Sequence, residues 1–433
     1  MLNMKVQRAN FIRGNIVLPG DKSITHRAAM ISAMAVGETQ IENFAASADC
    51  SSTLKCIEAL GVKISREDST VVIKGVGKSG FTAPSEPLDC GNSGTTMRLL
   101  AGILAGQDFE STVTGDESLQ QRPMQRIIDP LSKMGAVIAS DNFKAPLKIS
   151  GKSRLRSVEY QPPVASAQIK SCILLAGLNS DRITTVIESV QTRDHTERML
   201  KWFGVDVNVS KGEIDTRISI SGDAALTARD LFVPSDISAA AFFMVAAACL
   251  DGSDVTMPNV GLNPSRRAIL DVMQDLGANI ELLESGEKCN EPIATMRIRG
   301  GIRYKETSSV LSGSIIANLI DEIPVLAVLG TQLRDGLEVR DAAELRVKES
   351  DRIVAVVENL KRMGATVTEF PDGFKVERSD LKGAVIDSFG DHRIAMAFAI
   401  AGLLADGDTE IIGAECADIS FPGFFETLAA VVR

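Results

Sequence analysis

The sequence predicts an α/β protein of two domains, each built from three repeats. Three observations carry that prediction. A phrase recurs along the 433 residues: a short polar opening, a small-residue apolar run, then a leucine- or methionine-rich stretch closing on Gly. Apolar runs of helical length alternate with short β-branched runs, the signature of mixed helix and strand. The length exceeds what one ordinary core fills. Apolar residues make up 45% of the chain and aromatics only 4%, so small and aliphatic side chains carry the packing.

The openings read Asp21-Lys22-Ser23, Asn92-Ser93-Gly94, Ser166-Ala167-Gln168, Ser235-Asp236-Ile237, Asp321-Glu322-Ile323 and Gly390-Asp391-His392. The closings read Leu60-Gly61-Val62, Met134-Gly135-Ala136, Phe203-Gly204-Val205, Leu276-Gly277-Ala278, Met363-Gly364-Ala365 and a worn Leu428-Ala429-Ala430. In the first repeat Ile24–Val36 is predicted helical and Gly37-Glu38 ends it. Thr39–Phe44 is predicted as a strand. Ser47 or Asp49 caps a second helix to Leu60, and Val62–Ser65 with Thr70–Lys74 form a hairpin. The third repeat runs through a helix Ile169–Leu178, a strand Thr184–Ile187 and a helix from Asp194 to Phe203. The fifth runs from Asp321 through Leu329, Leu337–Val339 and a helix from Val347 to Met363. The groups of three meet near Leu231-Phe232-Val233-Pro234. The expected domains are residues 21–234, and residues 235–433 joined by the N-terminal segment 1–20, which makes that domain discontinuous.

The net charge of -10 speaks against nucleic acid as a partner of the bulk surface, so an anionic ligand needs a local concentration of cations. Cys50, Cys56, Cys90, Cys172, Cys249, Cys289 and Cys416 form no C-x-x-C pair, and His26, His195 and His392 show no zinc spacing. No metal site is expected, and the thiols read as small core residues of a reduced compartment. The N-terminus lacks the apolar stretch of a signal peptide, and Ile237–Leu250 is too short to span a bilayer. A soluble cytoplasmic protein is expected. Gly75-Val76-Gly77-Lys78-Ser79-Gly80 fits a G-x-G-x-x-G pattern, but such a loop must lead into a helix. Phe81-Thr82-Ala83-Pro84-Ser85-Glu86-Pro87 cannot begin one, so this segment reads as a turn.

The chemistry gathers at the helix starts. Helix N-termini expose unpaired N–H groups and carry about half a positive charge each. Ser23 is placed as an N-cap, with Lys22 before it and Arg27 one turn inside. Gly94 opens the second helix, where a phosphate can approach the backbone. Arg122 precedes Pro123, which reads as a helix-opening proline. Ser166 and Gln168 offer a hydroxyl and an amide at another start, and Arg193 with Glu197 is spaced as an i,i+4 pair. Asp321 caps an apolar helix and is also a candidate base. Lys348 and Arg352 are placed i,i+4 on one helix face, and Arg393 enters a last apolar helix. Each feature alone is also what an ordinary capped, solvated helix shows.

Together, G-D-K-S-I-T-H-R, Q-R-P-M, S-A-Q-I-K, R-D-H-T-E, R-V-K-E-S-D-R and D-H-R-I-A-M closely resemble, in order, the motifs of the 5-enolpyruvylshikimate-3-phosphate synthases. The resemblance covers nearly the whole chain. It implies a two-domain inside-out α/β barrel of three βαβαββ units per domain, with the active site in the interdomain cleft and closure on substrate. It implies transfer of the enolpyruvyl group of phosphoenolpyruvate to the 5-hydroxyl of shikimate 3-phosphate, in aromatic amino acid biosynthesis, by a monomer without metal or cofactor. Shikimate 3-phosphate would be held by Lys22, Ser23, Arg27, Ser166, Gln168, Arg193, Asp321 and Lys348. Phosphoenolpyruvate would be held by Lys22, Gly94, Arg122, Gln168, Arg352 and Arg393. Asp321 would take the hydroxyl proton, assisted by Lys348, and Glu349 and Lys22 would shuttle the methyl proton.

S-A-Q-x-K, R-D-H-T-E and G-D-K-S resemble the class II branch of the family. Asn263-Pro264-Ser265-Arg266 departs from that branch's N-x-T-R, Gly94 stands where tolerant members carry Ala, and no Lys occurs near Ile419-Ser420-Phe421-Pro422. The rival readings are the sister enzyme acting on UDP-N-acetylglucosamine, which has Lys-Asn in the place of Lys22-Ser23, an RNA 3'-phosphate cyclase, and a non-enzymatic repeat scaffold. The electrostatic case is general. One pair of like unit charges 4 Å apart costs about 4 kcal/mol at an effective dielectric near 20. Two phosphorylated anions therefore need several cations, and arginine forks suit phosphate and carboxylate bidentately.

Overall fold

Apolar helices that have no polar face must be surrounded by protein. This chain has a set of them, and they organise two units. The computed structural model describes residues 3–302 and 309–433. One unit comprises Gly20–Val233 with Lys288–Glu291; the other comprises Met1–Pro19, Pro234–Glu287 and Pro292–Arg433.

In the unit of Gly20–Val233 the inner helices are Lys22–Met34, Gly94–Ala105 and Ala167–Gly177. They pack on one another, and their side chains, from Ala28 to Leu175, belong to a single buried cluster. Small residues permit the close approach. A Cβ at Gly102 would collide with the backbone of Cys172, so glycine there lets the second and third inner helices touch. In the other unit the inner helices are Ile237–Cys249, Ile323–Gln332 and His392–Leu404, with their own buried cluster. Phe242 and Phe243 there meet Phe424 edge-on or tilted, at 5.8 Å between ring centres. Each such side chain, fully buried, contributes about 1.5–3 kcal/mol. Among the described residues no single helix is long and apolar enough to cross a membrane.

The sheets lie outside the inner helices and repeat one pattern. Leu88–Asp89 pairs parallel with Glu110–Thr114, which pairs antiparallel with Lys144–Ser150, itself paired with Val137–Asp141. The parallel partner is supplied at a distance in two sheets. Leu231–Phe232 completes the sheet of Val36–Glu42, and Arg13–Asn15 that of Asp254–Gly261. The last repeat has only Val385–Asp387 and Thr409–Ile412, and the N-terminal strand Asn3–Val6 supplies its antiparallel edge. This is the helices-inside arrangement that the motif resemblance implies.

Boundaries moved where local chemistry outranked the apolar pattern. The first helix ends at Met34, and its strand begins at Val36, earlier than Thr39. Gly37 lies inside that strand at φ +118° and does not terminate the helix. Ser47 caps Ala48–Ala59 as expected, through the Cys50 amide. The helix expected from Val347 starts at Arg352, because Asp351 caps it and a short 3-10 turn precedes it. The worn closing Leu428-Ala429-Ala430 lies within a helix, Phe424–Val431. Gly77 and Gly80 close a turn after a strand, as read from Pro84 and Pro87.

Candidate active site

The helix starts carry the polar side chains, and each unit assembles its own cluster. In the unit of Gly20–Val233, Asp21 caps the first inner helix by accepting from the Ile24 amide at 2.8 Å. Ser23 is therefore not the cap; it sits inside the first turn, and its carbonyl accepts from Arg27. Lys22 meets Asp49 at 3.0 Å. Arg27 is buried. Its Nε donates to Thr196 at 2.8 Å and its Nη2 to Ser171 at 2.9 Å. Burial pushes its pKa down to about 10; Glu197 opposes this and the nearby Arg193 adds to it. The guanidinium stays charged at neutral pH all the same.

A hydroxyl chain locks neighbouring helix starts together. His26 Nδ1 meets Thr53 Oγ1 at 2.7 Å, Thr53 meets Thr96 at 2.7 Å, and Thr96 donates to Ser93 at 2.8 Å. Burial lowers the His26 pKa to about 3, helped by the charges of Lys22 and Arg27. The ring is neutral, so it adds no cation to the site. Ser93 caps the second inner helix, and Gly94 follows it. A Cβ on Gly94 would sit 2.8 Å from Arg98 Nη1 and 3.4 Å from Arg122 Nη1. Arg122 Nη2 donates to Asn92 at 2.7 Å. Arg122 ends the short helix Glu117–Gln121, and the next helix begins at Gln125; Pro123 lies between them and opens neither.

Ser166 caps the third inner helix. Gln168 donates to Thr95 at 2.9 Å and accepts from Arg98 at 2.6 Å, so Arg98 and Gln168 are bridged to the Gly94 start. Arg193 is half-buried just before the helix His195–Trp202. The i,i+4 spacing of Arg193 and Glu197 would allow a surface pair, but Glu197 is buried. Glu197 instead turns inward to Lys170 at 2.7 Å, and Lys170, 1% exposed, also meets Glu188 at 2.9 Å. Burial alone would lower the lysine's pKa, but the two glutamates outweigh it and raise it. The i,i+4 surface pair in this helix is Asp194–Arg198.

In the other unit a second cluster forms around Arg352. Its guanidinium is 1% exposed and donates to Asp391 at 2.7 Å and to Glu349 at 2.6 Å, with Asp321 at 3.5 Å. Burial disfavours that charge, yet Asp391, Glu349 and Asp321 reverse the effect and raise its pKa. Arg393 donates to the Asp321 carbonyl at 3.0 Å, and its Nε lies 3.8 Å from the Asp321 carboxylate. Arg266 Nη1 lies 3.9 Å from the same carboxylate. Asp321 is thus ringed by guanidiniums while remaining 16% exposed. It does not cap the apolar helix: Glu322 stands at the cap position, and the turn before it is the helix Ile316–Leu319. Lys348 and Arg352 do not share a helix face. Lys348 ends the 3-10 turn and pairs with Glu344 at 3.0 Å, whereas Arg352 starts the next helix.

Most of the residues singled out from the sequence lie at or beside these helix starts, while Lys348 contacts Glu344. The EPSP synthase (3-phosphoshikimate 1-carboxyvinyltransferase) family model matches residues 6–428. The chain belongs to the EPSP synthase family. A 3-phosphoshikimate 1-carboxyvinyltransferase of Pelotomaculum thermopropionicum is 50% identical over 435 residues, covering 100% of this chain and 99% of the relative. One of Solibacter usitatus is 48% identical over 434 residues, covering 100% of both. The solved EPSP synthase of Acinetobacter baumannii superposes with a TM-score of 0.88 at 40% identity, covering 100% of this chain and 98% of that one. Membership decides against the sister transferase, the cyclase and the scaffold.

Family motifs left several site-forming residues unread. Asp391 and Asp236 stood in the quoted openings, as helix caps, without a functional reading. Arg98 lies four residues after Gly94, Arg266 closes the departing Asn263 motif, and Glu322 follows Asp321 directly. Asp49 reads from the sequence as a cap, but it also holds Lys22. What marks these residues is charge at a helix start beside another charge, a signal visible in sequence only once the starts converge.

Proposed function

We propose that the Lys22–Arg122–Arg193 cluster and the Asp321–Glu349–Arg352 cluster act on one pair of substrates. As a family member the chain is a 3-phosphoshikimate 1-carboxyvinyltransferase: it moves the enolpyruvyl group of phosphoenolpyruvate onto shikimate 3-phosphate and releases phosphate. The single observation behind the division of labour is Asp321, a partly exposed carboxylate ringed by guanidiniums that are themselves buried or nearly so. A carboxylate held among guanidiniums and still partly exposed is a candidate to accept a proton from a substrate hydroxyl.

In this reading Lys22, Ser23, Arg27, Ser166, Gln168 and Arg193 bind shikimate 3-phosphate. Lys22, Gly94, Arg122, Gln168, Arg352 and Arg393 bind phosphoenolpyruvate. The methylene carbon of phosphoenolpyruvate gains a proton, from Lys22 or Glu349, and its neighbour becomes electron-poor. The 5-hydroxyl oxygen bonds to that neighbour and gives its proton to Asp321, with Lys348 assisting. The tetrahedral adduct then breaks its carbon–oxygen bond to phosphate and returns the methyl proton, restoring the double bond. The net change consumes both substrates and yields the enolpyruvyl ether and phosphate. A cytoplasmic monomer belongs to the same proposal, as does the lack of a nucleic-acid partner, which the acidic chain supports.

The test is phosphate release from the two substrates with the wild type and Asp321→Asn. The variant is expected to fold, to keep both KM values within a few-fold, and to lose kcat by roughly 10²–10⁴. Near-normal turnover would remove Asp321 from the proton transfer.

A further inference from the structure

Asp321 is followed by a second carboxylate that the reaction does not use. Glu322 is buried, and its Oε1 accepts from Ser238 Oγ, which in turn accepts from Arg266 Nη2. Glu322 Oε2 is buried and makes no hydrogen bond among the described residues. Arg266, 3% exposed, stands between three carboxylates: Nη1 is 3.9 Å from Asp321, while Nη2 is 3.7 Å from Glu322 and 3.8 Å from Asp236.

We propose that Glu322 and Arg266 are positioning residues for Asp321: Glu322 retains a proton and Arg266 holds the neighbouring charge, so that of the two adjacent side chains only Asp321 is the working carboxylate. This rests on the reading of Asp321 as the hydroxyl base.

The argument is one of desolvation. An ionised carboxylate with one oxygen buried and without a hydrogen bond among the described residues carries a larger desolvation cost than the neutral acid. Burial pushes the Glu322 pKa upward, Asp321 adds to the rise, and Arg266 and Arg393 work against it. The surrounding charges favour the same outcome. Asp236, Asp321, Glu349 and Asp391 already face Arg266, Arg352 and Arg393. Among the described residues that is four carboxylates against three guanidiniums, and an ionised Glu322 would add to the negative side. Neutral Glu322 removes that charge without removing the hydrogen bond to Ser238. Asp321, more exposed and close to Arg266, Arg352 and Arg393, is the carboxyl that ionises.

Infrared difference spectra of wild type against Glu322→Gln, taken at neutral pH, test this directly. The wild type should show a protonated-carboxyl band that the variant lacks; no such band overturns the proposal. If Glu322→Gln does not fold, carboxyl NMR of wild type labelled in its glutamates replaces it, with one glutamate expected to remain protonated at neutral pH. The pH dependence of kcat/KM adds the functional readout. Glu322→Gln should leave the acid limb in place, because one neutral group replaces another. Arg266→Gln should move that limb upward by about one pH unit, and Arg266→Lys should bring most of the shift back. A downward shift in Glu322→Gln would mean the glutamate was ionised and would also overturn the proposal. Full turnover by Asp321→Asn with the infrared band intact would remove the base reading alone; a missing band with Asp321 essential would remove only the role of Glu322.

Discussion

His26 should make the unit of Gly20–Val233 acid-sensitive in a window that carboxylates alone do not explain. The ring is fully buried among the first and second inner helices and bonded to Thr53. Burial, with Lys22 and Arg27 adding, lowers its pKa from 6.5 to about 3. The unfolded chain therefore binds a proton below pH 6.5 that the folded chain refuses. Stability from this group is complete above the unfolded value and is lost as pH falls from there toward the folded value. At pH 5 the loss comes to about 2 kcal/mol, and it grows by ~1.4 kcal/mol for each further unit until the folded ring protonates. The assay is urea unfolding at pH 7.5 and pH 5, on wild type and His26→Asn, followed by a probe in this unit such as Trp202. The variant loses packing at both pH values, so the informative quantity is the difference between them. Wild type should lose about 2 kcal/mol more than the variant across that interval, or roughly 1 M in urea midpoint. Equal losses in both proteins would refute the claim that His26 is held neutral.

Arg122→Ala should weaken phosphoenolpyruvate binding by about tenfold to hundredfold, the worth of one charge-assisted contact, with shikimate 3-phosphate affinity nearly unchanged; calorimetric titration of each substrate checks it. Gly94→Ala puts a methyl 2.8 Å from the Arg98 guanidinium, so it should raise the KM for phosphoenolpyruvate several-fold while thermal stability hardly changes. A drop in stability without a KM change would make Gly94 a packing residue. Lys170→Met leaves Glu188 and Glu197 buried without their cation and should cost about 3–5 kcal/mol in chemical denaturation.

The architecture was legible because inner helices built of Ala, Ile, Leu and Met cannot face water anywhere along their length, and the pattern repeats. The hairpin ending at Lys74 and the strand Leu337–Val339 follow from β-branched runs that few other structures accommodate. Caps were less legible. Asp21 and Ser23 are both good caps, and only the backbone geometry at Asp21 decides between them. Charge pairs were the least legible. Arg193, Glu197 and Arg198 lie within six residues of one another, yet Glu197 goes inward because Lys170, distant in sequence, is buried beneath it. Likewise Lys348 and Arg352 have the spacing of a helix pair, but Asp351 between them caps a new helix and breaks the register. Spacing fixes which residues can meet within an element; which of them do meet depends on partners brought from elsewhere.

The pairing of cations with carboxylates also bears on how an acidic chain handles anionic substrates. A guanidinium as buried as Arg352 cannot stand without counter-charge, so Asp391 and Glu349 hold it in place. Asp49 does the same for Lys22. Under the proposed assignment, a substrate phosphate or carboxylate arriving at these cations competes with fixed carboxylates. The affinity gained is then the difference between two strong interactions, while the orientation of each cation is already set before binding. That trade favours geometry over raw attraction, which suits a reaction in which two anions must be held with one hydroxyl aimed at one carbon. The carboxylates near Arg352 do double service: Glu349 orients the guanidinium and is also the proposed carrier of the methyl proton. Protonating Glu349 would loosen its hold on Arg352 and strengthen that cation's grip on phosphate. The proton transfer and the stabilisation of the departing phosphate would then be coupled through a single ion pair.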